Sequence, residues 1–499
     1  MAERITSPDV ETIGGVIKGL LALLSGQSPH SVDDTTSLQA FPLGHLFYAI
    51  QQCFGVQVPP GAVGPDVTNT GQLAQVLGTY IQGELQARYD AGPPVSAARR
   101  VLLIGGLTVP EFQRAAARRG WRAAMFAYYD PAQGGAVPRA GDGAILDQVD
   151  AVDWAQPLDV VKRIVDLYAA GRIAGVVAND EFGLLPAALA TTQIGLPGAS
   201  LRGVYNTRDK FHMRRILEEA GLGQLRYAVC RDLAEAQAFL EAVGGAIILK
   251  PVTGTGSEGV SRVANSEELA IAFQVAASSA GFTGILCEEF IDGPEVSLEG
   301  YCVNGRFVAV ALTDKITDDR FLELGHQQPS SHPQSVFDAA TDVAGRVLAA
   351  LGVENGVTHT EFRISPSRGP VLIETHTRMG GDYIHVLTAL TTGVDLADVM
   401  VAFSLGETVD ARPVPQGRAA AIRFALGPPG QVRGVRVPAV EEGHGLHSVM
   451  GPPIGKVFTG LSASRERLAH VIATGPTPEA AGETADAFLT QVHVDYYNQ

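Results

Sequence analysis

The chain has 499 residues, 46% of them hydrophobic, with 57 glycines, 29 prolines and a formal net charge of -16. That length exceeds a single core and predicts about three or four domains, while the composition excludes a disordered or low-complexity protein. An acidic surface repels phosphate backbones and anionic bilayers, so nucleic acid and membrane are excluded as partners and small molecules come first.

From the N-terminus, "VETIGGVIKGLLALL", "FPLGHLFYAIQQCFG" and "GQLAQVLGTYIQGEL" carry apolar residues at helical spacing between Pro, Gly and Asp turns, which predicts a helical bundle over 1–88. The polar stretch "RYDAGPPVSAARR" (88–100) reads as a linker. Over 98–203 the pattern alternates: strands "VLLIGG", "RAAMFAYYD" and "IAGVVAND", helices "PLDVVKRIVDLYAAG" and "LLPAALATTQIG". Alternation of this kind predicts a parallel sheet covered by helices, a Rossmann-like domain. Glu181 follows the strand "AGVVAN" at the carboxyl end, where such sheets bind ligands, and is a site candidate; a helix N-cap is an equal alternative.

Between 204 and 405 the signals mix into an α+β unit: helix "TRDKFHMRRILEEAG", strand "GAIILKP", a glycine-rich turn, strand "GVSRVAN", helix "SEELAIAFQVAASSAG", then antiparallel strands. The tail, 406–499, carries strands such as "GRAAAIRFAL" and ends with the helix "TPEAAGETADAFLTQV". Cys53, Cys230, Cys287 and Cys302 form no CxxC pair, which argues for buried free thiols and against zinc, disulfide or redox chemistry. No apolar run approaches the ~20 residues that span a bilayer, and a cytoplasmic location is expected.

Chemistry concentrates in "GVTHTEFRI", the turn "SPSRGP" and "VLIETHTRM". If Ile364 pairs with Val371 across the turn, Glu361 falls opposite Glu374. Two facing carboxylates destabilise a sheet by up to about 1 kcal/mol unless a cation lies between them, and Mg²⁺ with a nucleotide would supply one. His376 and Arg378 continue the same face, the guanidinium being suited to a phosphoryl group or oxyanion; a surface salt-bridge ladder is the bland alternative. "LKPVTGTGSEGV" formally matches GxGxxG, but a returning strand follows it, which disfavours a dinucleotide site and favours a phosphate flap with Gly254, Gly256, Ser257 and Gly259 beside Lys250. A plain glycine turn remains the alternative there. The chain has six lysines against thirty-one arginines, so Lys210 in "TRDKF" is a second phosphate candidate. "CEEFIDGPEVS" can offer backbone groups to adenine and a carboxylate to ribose, or be merely a strand with a turn.

In order, "RDKF", "LKPVTGTGSEG", "EEFIDGPEVS", "HTEF" and "IETHTRMGGD" resemble the ATP-grasp superfamily, and "NDEFGLLPAAL" with "GHQQPS" resembles its L-amino acid ligase branch, which includes dipeptide ligases and carnosine synthases. The resemblance covers about 98–499. It implies a Rossmann-like domain over 98–203, an ATP-grasp domain over 204–405 with its nucleotide lobe at about 220–290, and a C-terminal α+β domain over 406–499. It also implies ATP and Mg²⁺, two ions with Mn²⁺ as a substitute. Lys210, Lys250, Gly254, Gly256, Ser257 and Gly259 would meet the phosphates, Glu288, Glu289 and Ile291 the adenine, and Glu295 the ribose. Glu361 and Glu374 match the metal carboxylates, while His376 replaces an asparagine common in relatives and stands as a third candidate ligand or a group facing the substrate. Arg378 and His326 are the expected catalytic residues, and Glu181, His326, Arg378 and Gly381 the expected substrate contacts.

The bundle itself resembles an acyl carrier protein with Ala40 where the attachment serine belongs, an unrelated bundle being the alternative. The implied activity is an ATP-dependent carboxylate–amine ligase working through an acyl phosphate, in an expected homodimer. Two alternatives stay open: loading of an amino acid onto the thiol of a separate carrier protein, and an inactive nucleotide-binding scaffold.

Overall fold

The structure is a computed structural model and describes all residues except 1–8, 26–31, 39–40, 42, 55, 60, 92–99, 105–108, 129–145, 153–155, 253–258, 279–283, 319–320, 440–444, 453, 460–466 and 498–499. The expected helices of the bundle are α1 (Val10–Ser25), α2 (Leu43–Phe54) and α3 (Thr70–Ala91). Ile13, Ile17, Leu20 and Leu21 line one stripe of α1 at helical spacing and are buried. Most of the linker and Ala40 lie outside the described residues.

Next come β1 (Arg100–Ile104), α4 (Val109–Arg118), β2 (Arg122–Tyr128), β3 (Leu146–Val152), α5 (Pro157–Ala169), β4 (Gly175–Ala178) and α6 (Leu184–Ile194). The strands form a parallel sheet in the order β3-β2-β1-β4, as alternation predicts. β3 was not anticipated, because "LDQVDAV" carries too little apolar alternation to stand out.

The segment read as one helix from 207 is two: α7 (Leu201–Arg208) and α8 (Lys210–Glu219). Asp209 breaks it, taking an extended conformation and accepting the His212 N–H at 2.8 Å as the N-cap of α8. A small antiparallel sheet follows, ordered β5-β8-β6-β7, from β5 (Tyr227–Cys230), α9 (Leu233–Val243), β6 (Ile247–Pro251), β7 (Ser261–Val263), α10 (Ser266–Ala277) and β8 (Ile285–Glu289). Both helices cover one face, each started by a side-chain cap, Asp232 for α9 and Asn265 for α10.

The remaining elements are β9 (Glu295–Val303), β10 (Arg306–Thr317), β11 (Glu323–Gln328), α11 (Gln334–Ala350), β12 (Gly356–Ser365), β13 (Gly369–His376), α12 (Ile384–Thr392), α13 (Leu396–Ser404), β14 (Ala419–Leu426), β15 (Gly430–Arg436), β16 (Leu446–Met450), β17 (Val457–Phe458), β18 (Arg467–Gly475), α14 (Pro478–Leu489) and β19 (His493–Tyr496). Eight strands make one sheet, β13-β12-β9-β10-β11-β14-β18-β16, so the tail extends the preceding sheet. The chain's last described element is also a strand, β19, which pairs with β15 beyond the expected terminal helix. Alternation splits the large sheet: Val296, Leu298, Phe362 and Leu372 pack on α11 from one face, while their neighbours in sequence turn charged groups to the other. All four cysteines are buried free thiols. Among the described residues no single helix is long and apolar enough to cross a membrane.

Candidate active site

The charged face of the large sheet is a grid fixed by strand register. Glu361 pairs with Glu374 on one side and Ser297 on the other; His359 pairs with His376 and Glu299; Arg363 pairs with Glu295, which pairs with Lys315 on β10. Directly opposed residues share a face, so these side chains rise from one surface. The premise for the hairpin needs correction: Val371 pairs with Arg363, not Ile364, and a bulge between Glu361 and Phe362 shifts the register back by one residue. That extra residue brings the two glutamates opposite each other.

Above the grid lies a cavity of about 270 Å³. Lys210, Lys250, Glu361, Glu374, His376 and Arg378 all border it, as do Glu288, Glu289, Ile291, Glu295 and Gly381. Gly259 takes a left-handed φ of 76° beside it, while Gly254, Gly256 and Ser257 lie outside the described residues. The carboxyl end of β4 delivers Glu181, which accepts a hydrogen bond from Arg378 Nε at 2.8 Å and lies 3.4 Å from His376 Nδ1. His376 Nε2 faces Glu374 at 3.1 Å, so the imidazole bridges two carboxylates.

Each glutamate of the hairpin has a lysine: Lys210 Nζ lies 3.2 Å from Glu374, and Lys315 Nζ 2.8 Å from Glu361. Burial alone would raise the Glu374 carboxyl, but Lys210 and His376 outweigh it and hold it well below the usual range. Glu361 is held down in the same way by Lys315 and His359. Burial and the nearby Arg214 and Lys210 lower the Lys250 ammonium despite Glu288 at 2.7 Å, because Arg214 shares that carboxylate at 2.6 Å. Glu288 therefore turns its carboxylate into a buried ion triad, while Glu289 points outward to Arg226 and Arg368.

His326 is set back. It is fully buried and outside the cavity lining, with Nε2 3.2 Å from Asp382, which does line the cavity. The imidazole meets the cavity through Asp382. Arg467 from β18 clamps the same acid at 2.6 Å and Glu323 at 2.7 Å. Glu323, His326 and Asp382 have ligand atoms within 4.8 Å of one another, yet the guanidinium already bridges the two acids. Glu361 and Glu374 face each other across the hairpin and offer a pair of hard oxygen donors.

Sequence reading missed Lys315, Arg214, Arg467, Asp382 and the buried Glu299–His359 pair, joined at 2.8 Å. Lysine scarcity could have flagged Lys315, and Asp382 and His359 lie within the quoted "IETHTRMGGD" and "HTEF"; Arg214, Arg467 and Glu299 carry no local signal.

Two family models match the chain: the ATP-grasp domain over residues 243–386 and L-amino acid ligase C-terminal domain 2 over 423–497. Alanine–anticapsin ligase of Bacillus subtilis (strain 168) is 26% identical over 286 residues, 52% of this chain. The match spans 61% of that relative's own length. The carbamoyl phosphate synthase large chain of Thermotoga neapolitana is 26% identical over 227 residues, 44% of this chain and 20% of that one. Among solved structures, L-amino acid ligase from Bacillus licheniformis superposes with a TM-score of 0.68 at 20% identity, covering 81% of this chain and 100% of that one. The biotin carboxylase domain of Hydrogenobacter thermophilus 2-oxoglutarate carboxylase, in complex with MgADP, superposes at 0.65 with 18% identity, covering 80% and 91%. Paired carboxylates and lysines edge one cavity, and the two models match in order: the chain carries an ATP-grasp domain followed by an L-amino acid ligase C-terminal domain.

Proposed function

We propose that the protein is an ATP-dependent carboxylate–amine ligase that joins an amino acid, as the carboxylate, to an amine and releases ADP and phosphate. The observation that carries this reading is Glu361 directly opposite Glu374 in one cavity with Lys210, Lys250 and Arg378. The names of the ligases that the chain resembles support amino acids as substrates.

Lys210 and Lys250 would hold the nucleotide phosphates as point charges, and the backbone from Glu288 to Ile291 would face the base, the Glu288 side chain being committed elsewhere. Glu295 would take the ribose hydroxyls. Glu361 and Glu374 would hold the magnesium, two ions in the full complex, which when bound offsets phosphate charge and polarises the transferring group. The substrate carboxylate attacks the γ-phosphate and displaces ADP; the neutral amine then attacks the acyl carbon and displaces phosphate, which leaves with the proton the nitrogen gives up. Arg378 donates from Nε to Glu181 at 2.8 Å and from Nη1 to the Met379 carbonyl at 3.0 Å. Its remaining N–H groups would turn to the transferring phosphoryl group in the first step and to the oxyanion of the tetrahedral intermediate in the second. His376 and Gly381 border the same cavity and would contact substrate, and Asp382, backed by His326 and Arg467, would set its far wall.

Phosphate release from Mg-ATP, measured across pairs of amino acids, should appear only with an acceptable pair. Glu374→Ala should abolish it; unchanged turnover in that variant would remove the metal assignment.

A further inference from the structure

Lys315 has no part in the mechanism above, yet it is the most enclosed lysine of the site, with a side chain 3% exposed. Its ammonium lies 2.7 Å from Glu295, 2.8 Å from Glu361 and 3.3 Å from Glu323. An ammonium has three donors, and here three carboxylates meet them. Register explains the convergence: Lys315 is opposite Glu295 on β9, and Glu361 stands one grid row away on β12. Together with Lys210 on Glu374, a tethered cation therefore sits on each carboxylate that would bind the metal.

Such an arrangement has two consequences. Without Lys315, Glu295, Glu323 and Glu361 would lose the cation they share and keep only their separate partners Arg363, Arg467 and His359. With Lys315 on Glu361 Oε1 at 2.8 Å, a divalent cation arriving alone must share the carboxylate with that ammonium or displace it, and like charges a few ångströms apart in a partly dry site repel strongly. A nucleotide changes the balance, since its phosphates can take up ammonium groups that the carboxylates give up.

We propose that Lys315 is a built-in competitor for the metal at Glu361, which keeps Mg²⁺ from loading the Glu361–Glu374 pair until nucleotide phosphates enter, so that metal and nucleotide bind together. This rests on the assignment of Glu361 and Glu374 as the metal carboxylates. The lysine's long stem lets it release Glu361 while keeping Glu295 and Glu323, so the exchange needs no backbone movement.

The test is calorimetric titration of MgCl₂ into the nucleotide-free full-length protein, followed by thermal melting with and without Mg²⁺. Lys315→Met keeps the apolar stem and removes the charge. It should bind Mg²⁺ alone about tenfold or more tightly than wild type, melt lower than wild type in EDTA and regain stability on adding Mg²⁺. Lys315→Arg should stay as weak for Mg²⁺ alone as wild type. If the single variant does not fold, Lys315→Met/Glu323→Gln removes one charge of each sign and should show the same gain. Equal nucleotide-free Mg²⁺ affinity in wild type and the neutral variants overturns the proposal, as does a gain that survives adding Glu361→Gln. Titrating ADP into wild type separates this from the metal assignment: ADP binding indifferent to Mg²⁺ sinks that assignment, whereas Mg²⁺-dependent ADP binding without a gain in the variants sinks only the role of Lys315.

Discussion

Replacing Glu288 by Gln tests how the small sheet is fastened to the rest of the site. The carboxylate is 4% exposed and holds Arg214 on α8 and Lys250 on β6, themselves 5% and 7% exposed. Glu288→Gln keeps the shape but leaves two buried cations on one neutral acceptor, and breaking a buried pair in this way costs about 3–5 kcal/mol. Acidity gives a second estimate. Burial pushes the carboxyl up, but Arg214 and Lys250 outweigh burial and hold it down at about 2 against an ordinary 4.5. That difference corresponds to about 3 kcal/mol at neutral pH. Because the folded-state value lies below the unfolded one, this stability is complete above the unfolded value and is lost as pH falls toward the folded one. The difference between wild type and variant, from urea unfolding followed by circular dichroism, should therefore be about 3 kcal/mol at pH 7 and shrink to roughly 1 kcal/mol at pH 3. Nucleotide affinity should fall as well, since Lys250 loses its anchor. An unfolding midpoint and an ADP affinity both equal to wild type would refute the fastening role.

Arg378→Lys keeps the charge but loses the planar fork that can hold Glu181 and an oxyanion at once, so kcat should drop by at least about a hundredfold while the KM for ATP changes little; steady-state phosphate release reads both constants. In the helical bundle, a Cβ at Gly78 would come within 2.9 Å of the Val10 backbone oxygen and 3.1 Å of its Cγ1. Gly78→Val should accordingly lower stability by about 1–3 kcal/mol in thermal melts, and an unchanged melting temperature would show that α3 can move off α1.

What could be read from sequence was what strand periodicity and end signals carry. Glu361, Glu374, His376 and Arg378 were placed on one surface because alternation along a hairpin is local information, even though the turn-side register was off by one residue. A bulge leaves no mark in residue types here, so its position was invisible. The same holds for contacts made across elements far apart in the chain. Arg214 reaches Glu288 across 74 residues, and Arg467 reaches Glu323 across 144. Neither follows from any window of sequence, and both depend on how the sheets are stacked. Lys315 is intermediate: its strand was foreseeable, its rarity countable, and only its three partners required the fold.

The helical bundle illustrates the opposite case, where a local pattern was legible but its context was not. Helical spacing in three segments suggested a bundle set apart by a polar linker, and a resemblance to acyl carrier proteins suggested a carrier-like unit. In the folded chain, Ile13, Leu46 and Phe54 belong to the same buried core as Val160, Leu184 and Val204 of α5, α6 and α7. Tyr205 on α7 donates to the Gly15 carbonyl at 2.8 Å, and a Cβ at Gly15 would stand 3.2 Å from its ring, so a small residue is what lets α7 lie against α1. A carrier that travels to its partner keeps a separable polar surface, because exposing a shared core costs about 25 cal/mol for every Å² of apolar area. Here that cost would fall on α7, which runs through the Asp209 cap directly into Lys210. The bundle thus shares its core with α5, α6 and α7, and its docking bears on the helix that leads into Lys210.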